Sequence, residues 1–355
     1  MKILVINCGS SSIKYKLFKI KEKFKEEVID KGIIEHIGEK GCFIKDHYTG
    51  LKMILKKIET PDAVGHRVVH GGEEFKKPVI IDEKVIRTIK KCCRFAPLHN
   101  PANLAGILAI KKLLPKINQI AVFDTAFHQT LAPYAYIYGL PYLYYRRYGI
   151  RRYGFHGTSH AYVAEEASRK LKIPLNKLKM VTCHLGNGCS ITAIKYGKSI
   201  DTSMGFTPLE GLIMGTRCGD IDPALVTYIM QKEKLSISQI EEILNKESGL
   251  KGISGISNDM RVLWKKAKEK NLRAKLAIEI FVYRIKKYIS AYIGILGGVD
   301  AVIFTAGIGQ NQKEIVEMIC KNLFSHLKQK PKVLIIPTDE ELMIARLTYE
   351  LLNRR

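Results

Sequence analysis

At 355 residues, with 46% hydrophobic and 26% charged residues, the chain has the size and composition of a two-domain globular protein. The formal net charge of +24 suits a small anionic substrate. Because the basic residues are scattered along the chain, we expect no nucleic-acid partner, and because no apolar window is long enough to cross a bilayer, we expect no membrane partner. The N-terminus lacks a signal-peptide layout, and the eight cysteines form no Cys-x-x-Cys pair. We therefore expect a cytoplasmic protein without a zinc site or disulfides.

The first predicted element is a hairpin. Residues 2–6 form an apolar strand, residues 7–12 a Gly/Ser turn, and residues 13–18 an alternating strand. Because the turn opens a strand and not a helix, it is neither a Walker loop nor a dinucleotide fingerprint. Its hydroxyls and backbone donors, with Lys14 beside them, can still hold a phosphate, although serines are also ordinary turn formers.

Two further predicted strands carry charged residues. Arg67 lies on an apolar strand over 63–69, where it needs an anionic partner, either an internal carboxylate or a bound phosphate. Asp124 follows the apolar strand 119–123, at the end of a strand where open α/β sheets place ligands. It is a candidate Mg²⁺ ligand, and a helix-cap role is the alternative.

The middle of the chain is rich in tyrosine and arginine between residues 132 and 153. This composition could serve RNA stacking, but it favours packing between domains or subunits. Thr158 and Ser159 then suit the start of a helix that continues over 161–171. This start would leave His156 in a loop and free for chemistry.

A second hairpin repeats the order of the first. An apolar strand over 180–183 is followed by the turn His184-Leu-Gly-Asn-Gly188 and an alternating strand. Taken alone, this turn is most simply a plain hairpin. Because it matches the first hairpin, the sequence predicts an internal duplication with two phosphate-binding turns, one in each domain.

Two of the remaining predicted segments have the arrangement of loop and helix that is typical of nucleotide-binding sites. A Gly/Ser loop over 252–261 leads into a helix at about Asp259, and a strand over 301–305 leads through Gly-x-Gly into a helix. Carboxylates at 339–341 precede the last predicted helix, over 342–352.

Long motifs, in order over nearly the whole chain, resemble those of the acetokinase family of short-chain acid kinases. They are residues 7–14 (NCGSSSIK), 65–72 (GHRVVHGG), 123–129 (FDTAFHQ), 152–160 (RYGFHGTSH), 184–188 (HLGNG), 201–208 (DTSMGFTP) with 215–217 (GTR), and 304–309 (FTAGIG). The resemblance implies a homodimer and an α/β fold of duplicated actin/hexokinase/heat-shock-ATPase-like (ribonuclease H-like) domains around a nucleotide cleft. It places the N-terminal domain at 1–126 plus 341–355 and the C-terminal domain at 127–340.

The resemblance also implies roles for individual residues. The catalytic set is Arg67, Asp124, His156 and Arg217. The acyl pocket comprises Arg67, Val69, Leu98, Phe155 and Pro208. The ATP contacts are Ser10, Ser12, Lys14, His184, Leu185, Gly186, Asn187, Gly188, Asp259, Met260, Arg261, Gly307, Ile308, Gly309 and Asn311. Asn7 and Glu340, with Asp124, would serve the metal.

The implied reaction is the reversible phosphorylation of acetate by ATP, by direct in-line transfer with Mg²⁺ or Mn²⁺, and propionate or butyrate is the alternative acceptor. The chain departs from the family in being short over 19–60 and 324–332 and in carrying Val262 and Gln310 where acids are usual. These departures bear on adenosine binding and not on the reaction.

Overall fold

The computed structural model describes residues 1–97 and 99–353, which fall into two compact units. Unit 1 comprises the described residues of Met1–Gln129, Gly157–Tyr162 and Asp339–Arg355, and unit 2 comprises Thr130–His156 and Val163–Thr338. The domain boundaries expected from the sequence stay a prediction. The units differ from them in assigning residues 127–129, 157–162 and 339–340 to the first body.

The helices and strands of the described residues are as follows. The strands are β1 Lys2–Cys8, β2 Ile13–Glu22, β3 Lys25–Ile34, β4 Ala63–Val68, β5 Val79–Ile80, β6 Asn118–Phe123, β7 Lys179–Leu185, β8 Cys189–Lys195, β9 Lys198–Thr202, β10 Ala301–Thr305 and β11 Lys332–Ile335. The helices are α1 His47–Lys57, α2 Glu83–Cys92, α3 Asn100–Leu113, α4 Pro133–Tyr136, α5 Tyr142–Tyr148, α6 Gly157–Leu171, α7 Ala224–Glu233, α8 Ile237–Glu242, α9 Gly249–Ser254, α10 Met260–Lys268, α11 Leu272–Leu296, α12 Ala306–Asn311, α13 Lys313–Cys320 and α14 Glu340–Asn353.

The sheet of unit 1 has the strand order β3-β2-β1-β4-β6-β5. The first three strands form an antiparallel meander, while β1, β4 and β6 run parallel. The parallel register pairs Ile6 with His66 and Val68 with Phe123. Because parallel strands end at one edge, β1, β4 and β6 deliver Asn7, Arg67 and Asp124 to the same edge of the sheet.

The sheet of unit 2 has the order β11-β10-β7-β8-β9. Strands β7, β8 and β9 form an antiparallel meander, and β10 and β11 run parallel to β7. The hairpin β7–β8 beside parallel β10 repeats the hairpin β1–β2 beside parallel β4. This common arrangement confirms the duplication that the two hairpins predict.

Helix α14 closes unit 1 by packing on the parallel strands. The Cβ of a non-glycine residue at 65 would lie 2.7 Å from Thr348 Oγ1, so the close approach of the helix to β4 requires Gly65. Arg346 Nε donates to Glu26 Oε1 at 2.6 Å, and both side chains are buried. The helix is therefore tied to the sheet by both packing and a buried ion pair.

Two predicted loops are partly helical. Of the Gly/Ser loop predicted over 252–261, residues 252–254 belong to α9, while α10 begins at Met260 with Asp259 as its N-cap, as predicted. The Gly-x-Gly stretch over 306–311 forms the short helix α12, where a loop is predicted. Across residues 1–97 and 99–353, none of the helices combines the length and apolarity that crossing a membrane requires.

Candidate active site

In unit 1 an arginine and two carboxylates meet at the carboxyl edge of the sheet. Arg67 donates to Asp124 Oδ2 from Nε at 3.1 Å and from Nη2 at 2.6 Å. Thr158 Oγ1 donates to Asp124 Oδ1 at 3.2 Å, and Glu340 Oε2 lies 3.6 Å from Arg67 Nε. Of the two partners that the sequence allows for Arg67, an internal carboxylate is present, and one-fifth of the arginine side chain stays exposed.

The charges of this cluster do not cancel. Burial raises the pKa of Glu340, Arg67 opposes the shift, and Asp124 reinforces it. Burial would lower the pKa of Arg67, but Asp124 and Glu340 outweigh it and raise that pKa. Two carboxylates around one guanidinium leave surplus negative charge, which a cation would neutralise.

The donor set of the cluster fits a hard divalent cation. Asp124 and Glu340 offer carboxylate oxygens, and Asn7 is the penultimate residue of β1, which pairs with the strand that carries Arg67. In the described part of the chain, no three His, Cys, Asp or Glu side chains converge as a metal cage. Mg²⁺ needs no such cage, since it usually takes one or two carboxylates and retains water.

The turn with Ser10 and Ser12 is closed by a hydrogen bond from the backbone N–H of Gly9 to the carbonyl of Ser12 at 2.8 Å. Lys14 Nζ lies 2.7 Å from Glu341 Oε1. Burial would raise the pKa of Glu341, but Lys14 and Lys16 lower it below its usual value. Lys14, predicted to line the ATP phosphates, is thus held by a buried carboxylate that the sequence motifs do not indicate.

The residues predicted for the acyl pocket are divided between the units. Val69 is buried in unit 1, and its N–H donates to Asn103 Oδ1 at 3.1 Å, a contact that sequence reasoning misses. Phe155 is buried in unit 2, where Pro208 is half-buried. Leu98 lies outside the described residues.

His156 occupies the N-cap position of α6 in the left-handed conformation, with φ of 57°. The predicted helix start at Thr158 and Ser159 is wrong, because both residues lie inside the first turn. The Nδ1 atom of His156 is 2.9 Å from Ser190 Oγ, and its ring stacks on that of His184. Its orientation is therefore set by an edge contact and a face contact.

Arg217 lies next to His156 around the turn glycine Gly188. A Cβ at position 188 would lie 3.4 Å from the His156 ring and 3.5 Å from Arg217 Nη1. Arg217 Nη1 donates to the carbonyl of Pro208 at 3.3 Å, and no carboxylate within the described chain lies within ion-pair distance of Arg217. Burial lowers its pKa. The guanidinium therefore keeps donors available for an anion.

A pocket of about 510 Å³ adjoins this turn in unit 2. Its lining includes eight residues predicted for ATP, namely Gly186, Asn187, Asp259, Met260, Arg261, Gly307, Ile308 and Asn311. Two more, Asn258 and Gln312, each adjoin a predicted residue in sequence. Leu185 is fully buried, and neither it nor Gly309 lines the pocket.

The mouth of this pocket is polar and ordered by local contacts. Arg261 Nη2 donates to Asp259 Oδ2 at 2.6 Å, and Asn258 Nδ2 donates to Asn187 Oδ1 at 3.0 Å. The pocket is large enough for a nucleoside and has polar groups at fixed positions, as small-molecule sites usually do.

Comparisons with known proteins identify the family of the chain. The family model described as the acetokinase family matches residues 2–326. An acetate kinase of Halothermothrix orenii is 50% identical, with 99% of this chain and 100% of that protein covered. A crystal structure of Porphyromonas gingivalis acetate kinase matches with a TM-score of 0.93 and 43% identity, covering 99% of each chain.

Other solved structures extend the comparison. A propionate kinase from Francisella tularensis matches with a TM-score of 0.90 and 41% identity over 98% of each chain. A ROK hexokinase from Thermus thermophilus, at 11% identity and a TM-score of 0.52, shares the fold alone. These likenesses confirm the predicted fold class of duplicated hexokinase-like domains. The chain belongs to the acetokinase family.

Proposed function

We propose that this protein catalyses the reversible transfer of the γ-phosphoryl group of ATP to acetate, which yields ADP and acetyl phosphate. The observation that carries the proposal is the arrangement in unit 2. A nucleoside-sized pocket adjoins a glycine turn that is flanked by His156 and by Arg217, whose donors are not taken by a carboxylate. Acetate kinases related to this chain over its whole length support the same reaction.

The chemistry requires positioning and charge neutralisation more than acid–base catalysis. A carboxylate acceptor has a pKa of about 4–5 and is already ionised at neutral pH, so it needs no general base. The attacking oxygen must lie in line with the γ-phosphoryl group, whose equatorial oxygens gather charge in the transition state. A sugar kinase must instead deprotonate a hydroxyl group.

Each residue of the candidate site has a role in this scheme. Arg217 donates to the equatorial oxygens of the transferring phosphoryl group, and His156 supplies a second donor beside it. Arg67 binds the carboxylate of acetate, and Val69 limits the length of the acyl chain. Asp124, Glu340 and Asn7 would hold Mg²⁺, which supplies charge neutralisation for the phosphates when bound.

Two further parts of the proposal rest on the family resemblance, namely the use of Mg²⁺ or Mn²⁺ and a homodimeric assembly. A cytoplasmic location, which the sequence leads us to expect, is also part of the proposal. Propionate is the second candidate acceptor, because a propionate kinase is 41% identical to this chain. Val69 favours acetate, since a β-branched side chain shortens an apolar pocket.

A hydroxamate assay for acyl phosphate tests the proposal directly. The protein is supplied with ATP, Mg²⁺ and acetate, propionate or butyrate in turn, and kcat/KM is compared. We expect the highest value for acetate and loss of activity when EDTA removes the metal. A clear preference for propionate would identify propionate, and not acetate, as the substrate. The absence of acyl phosphate with every acid would refute the proposed reaction.

A further inference from the structure

A second cavity lies at the other end of the unit 2 sheet. Strands β7 and β10 begin there, at Lys179 and Ala301, and the cavity has a volume of about 470 Å³. The pocket of about 510 Å³ described above lies beyond the opposite end of β7. Because β7 has seven residues, the two cavities are separated by about 20 Å. We call the second cavity the amino-edge pocket.

The lining of the amino-edge pocket is strongly basic. It includes Lys177, Lys179 and Lys328, against Asp300 as the single carboxylate among its described lining residues. Asp300 already accepts the backbone N–H of Lys179 at 2.7 Å. Four lysines on adjoining turns and strand ends add to the charge, namely Lys195, Lys198, Lys330 and Lys332. Charges of one sign around a concave wall attract and concentrate an anion.

One of these lysines is held in place. Lys179 is partly buried, and its Nζ donates to the carbonyl of Gly297 at 3.0 Å. An ammonium group has three N–H donors, so two remain for a ligand. Beside it, a Cβ at Gly298 would meet no atom within 4 Å, which leaves open space over the backbone.

Tyr196 brings an aromatic ring to the rim. It occupies the β8–β9 turn with φ of 55°, and Gly197 follows with φ of 80°. Such two-residue turns favour Asn-Gly, and a tyrosine is strained in the left-handed conformation. The ring is about half exposed, and Lys195 Nζ lies 5.8 Å from its centroid, so a ligand base stacked on the ring would lie beside a further cation.

We propose that the amino-edge pocket binds a small molecule that carries two or more phosphate charges. The volume suits a molecule up to nucleotide size, and the basic lining selects a multiply charged anion. This shared chemistry has two sources, an inorganic oligophosphate or a nucleotide whose base stacks on Tyr196. The site is separate from the one that carries the proposed reaction.

The experiment counts ligands on the full chain at about 0.15 M salt, where diffuse surface attraction is screened. Equilibrium dialysis first measures the number of ADP molecules bound per chain. Calorimetry then titrates tripolyphosphate, without Mg²⁺, into protein saturated with ADP. Two bound ADP identify a nucleotide, whereas one ADP plus one tripolyphosphate identify an inorganic oligophosphate. One ADP and no tripolyphosphate overturn the proposal.

Variants assign the binding to the pocket. In Lys177→Glu/Lys328→Glu the second ligand should bind at least tenfold more weakly. The matched exposed double variant Lys232→Glu/Lys275→Glu, whose residues do not line the pocket, should leave its affinity unchanged. If the Lys177→Glu/Lys328→Glu variant does not fold, the neutral variant Lys177→Gln/Lys328→Gln replaces it in the same measurement. Tyr196→Asn, which suits the turn, should weaken ADP at this site and spare tripolyphosphate. Equal affinity in the wild type and the double variant also refutes the proposal.

Discussion

The imidazole rings of His156 and His184 lie face to face, with centroids 4.1 Å apart and an interplanar angle of 23°. Ser190 Oγ meets the Nδ1 edge of His156 at 2.9 Å. The remaining side of the His156 ring faces the space above Gly188, which it shares with Arg217. The stack therefore directs His156 toward the position proposed for the transferring phosphoryl group.

Gly188→Ala should lower kcat about 100-fold, because the added methyl group would occupy the space between His156 and Arg217. The fold should remain intact, since the new contacts of 3.4–3.5 Å are ordinary van der Waals distances. Steady-state kinetics and thermal unfolding measure the two effects. Gly294→Ala on α11 is the control, because its Cβ would lie in open space. A kcat near the wild-type value for Gly188→Ala would contradict the role of this gap.

Arg67→Ala and Arg217→Ala should both reduce phosphoryl transfer by about 10³-fold or more, but they should differ in stability. Loss of Arg67 leaves Asp124 and Glu340 without their counter-charge and should cost about 3 kcal/mol of unfolding free energy. Loss of Arg217 removes a partly buried cation that has no carboxylate partner among residues 1–97 and 99–353, so stability should change little. Urea unfolding and the hydroxamate assay test the pair, and equal destabilisation would refute this distinction.

Val69→Ala should shift the preference toward longer acids. Removing two methyl groups from a buried wall changes the discrimination between acetate and propionate by about tenfold in kcat/KM, the range expected for one methylene in an apolar pocket. The backbone N–H of Val69 keeps its bond to Asn103, so the strand end stays in place. An unchanged acetate-to-propionate ratio would remove Val69 from the acyl pocket.

His66 should make unit 1 sensitive to acid. Burial lowers the pKa of His66 from 6.5 to about 4. The unfolded chain therefore takes up a proton at this residue before the folded chain does. The contribution of neutral His66 to the free energy of unfolding is fully present above pH 6.5. It is lost as the pH falls toward 4, and the total loss is about 3 kcal/mol.

Urea midpoints at pH 7 and pH 5 test this prediction. The wild type should lose more stability between the two values than His66→Gln, which cannot titrate. His326→Gln, at an exposed position, should behave as the wild type does. An identical pH dependence in wild type and His66→Gln would show that His66 does not cause the acid sensitivity.

The sequence predicts β1, β4, β6, β7 and β10 well because each is an apolar run with turn residues at its end. It does not locate β3, which is charged, β5, which has two residues, or β9, which is polar. It also indicates that Arg67 needs an anion, but the alternatives stay open until the register of β4 and β6 places Asp124 beside it. Lys14 and Glu341 show more clearly that the sequence does not predict contacts between distant segments. They are far apart in the sequence, and no local pattern predicts that a buried carboxylate holds this lysine.

The short helices α9 and α12 show a second limit. Glycine and serine favour loops on intrinsic propensity, yet tertiary contacts stabilise a helical turn at both places. The left-handed start of α6 at His156 is likewise set by packing and not by its capping residues. Local composition therefore predicts element type best where the apolar run is long.

Helix α14 has a consequence for how the protein is made. Unit 1 begins with β1, but it is completed by residues from Asp339 onward, which leave the ribosome after all of unit 2. Unit 2 is fully synthesised earlier, so it can fold while unit 1 still lacks its closing helix. Glu340 arrives with that helix. A stalled or truncated chain would therefore retain a nucleotide pocket and lack an acid of the proposed magnesium site.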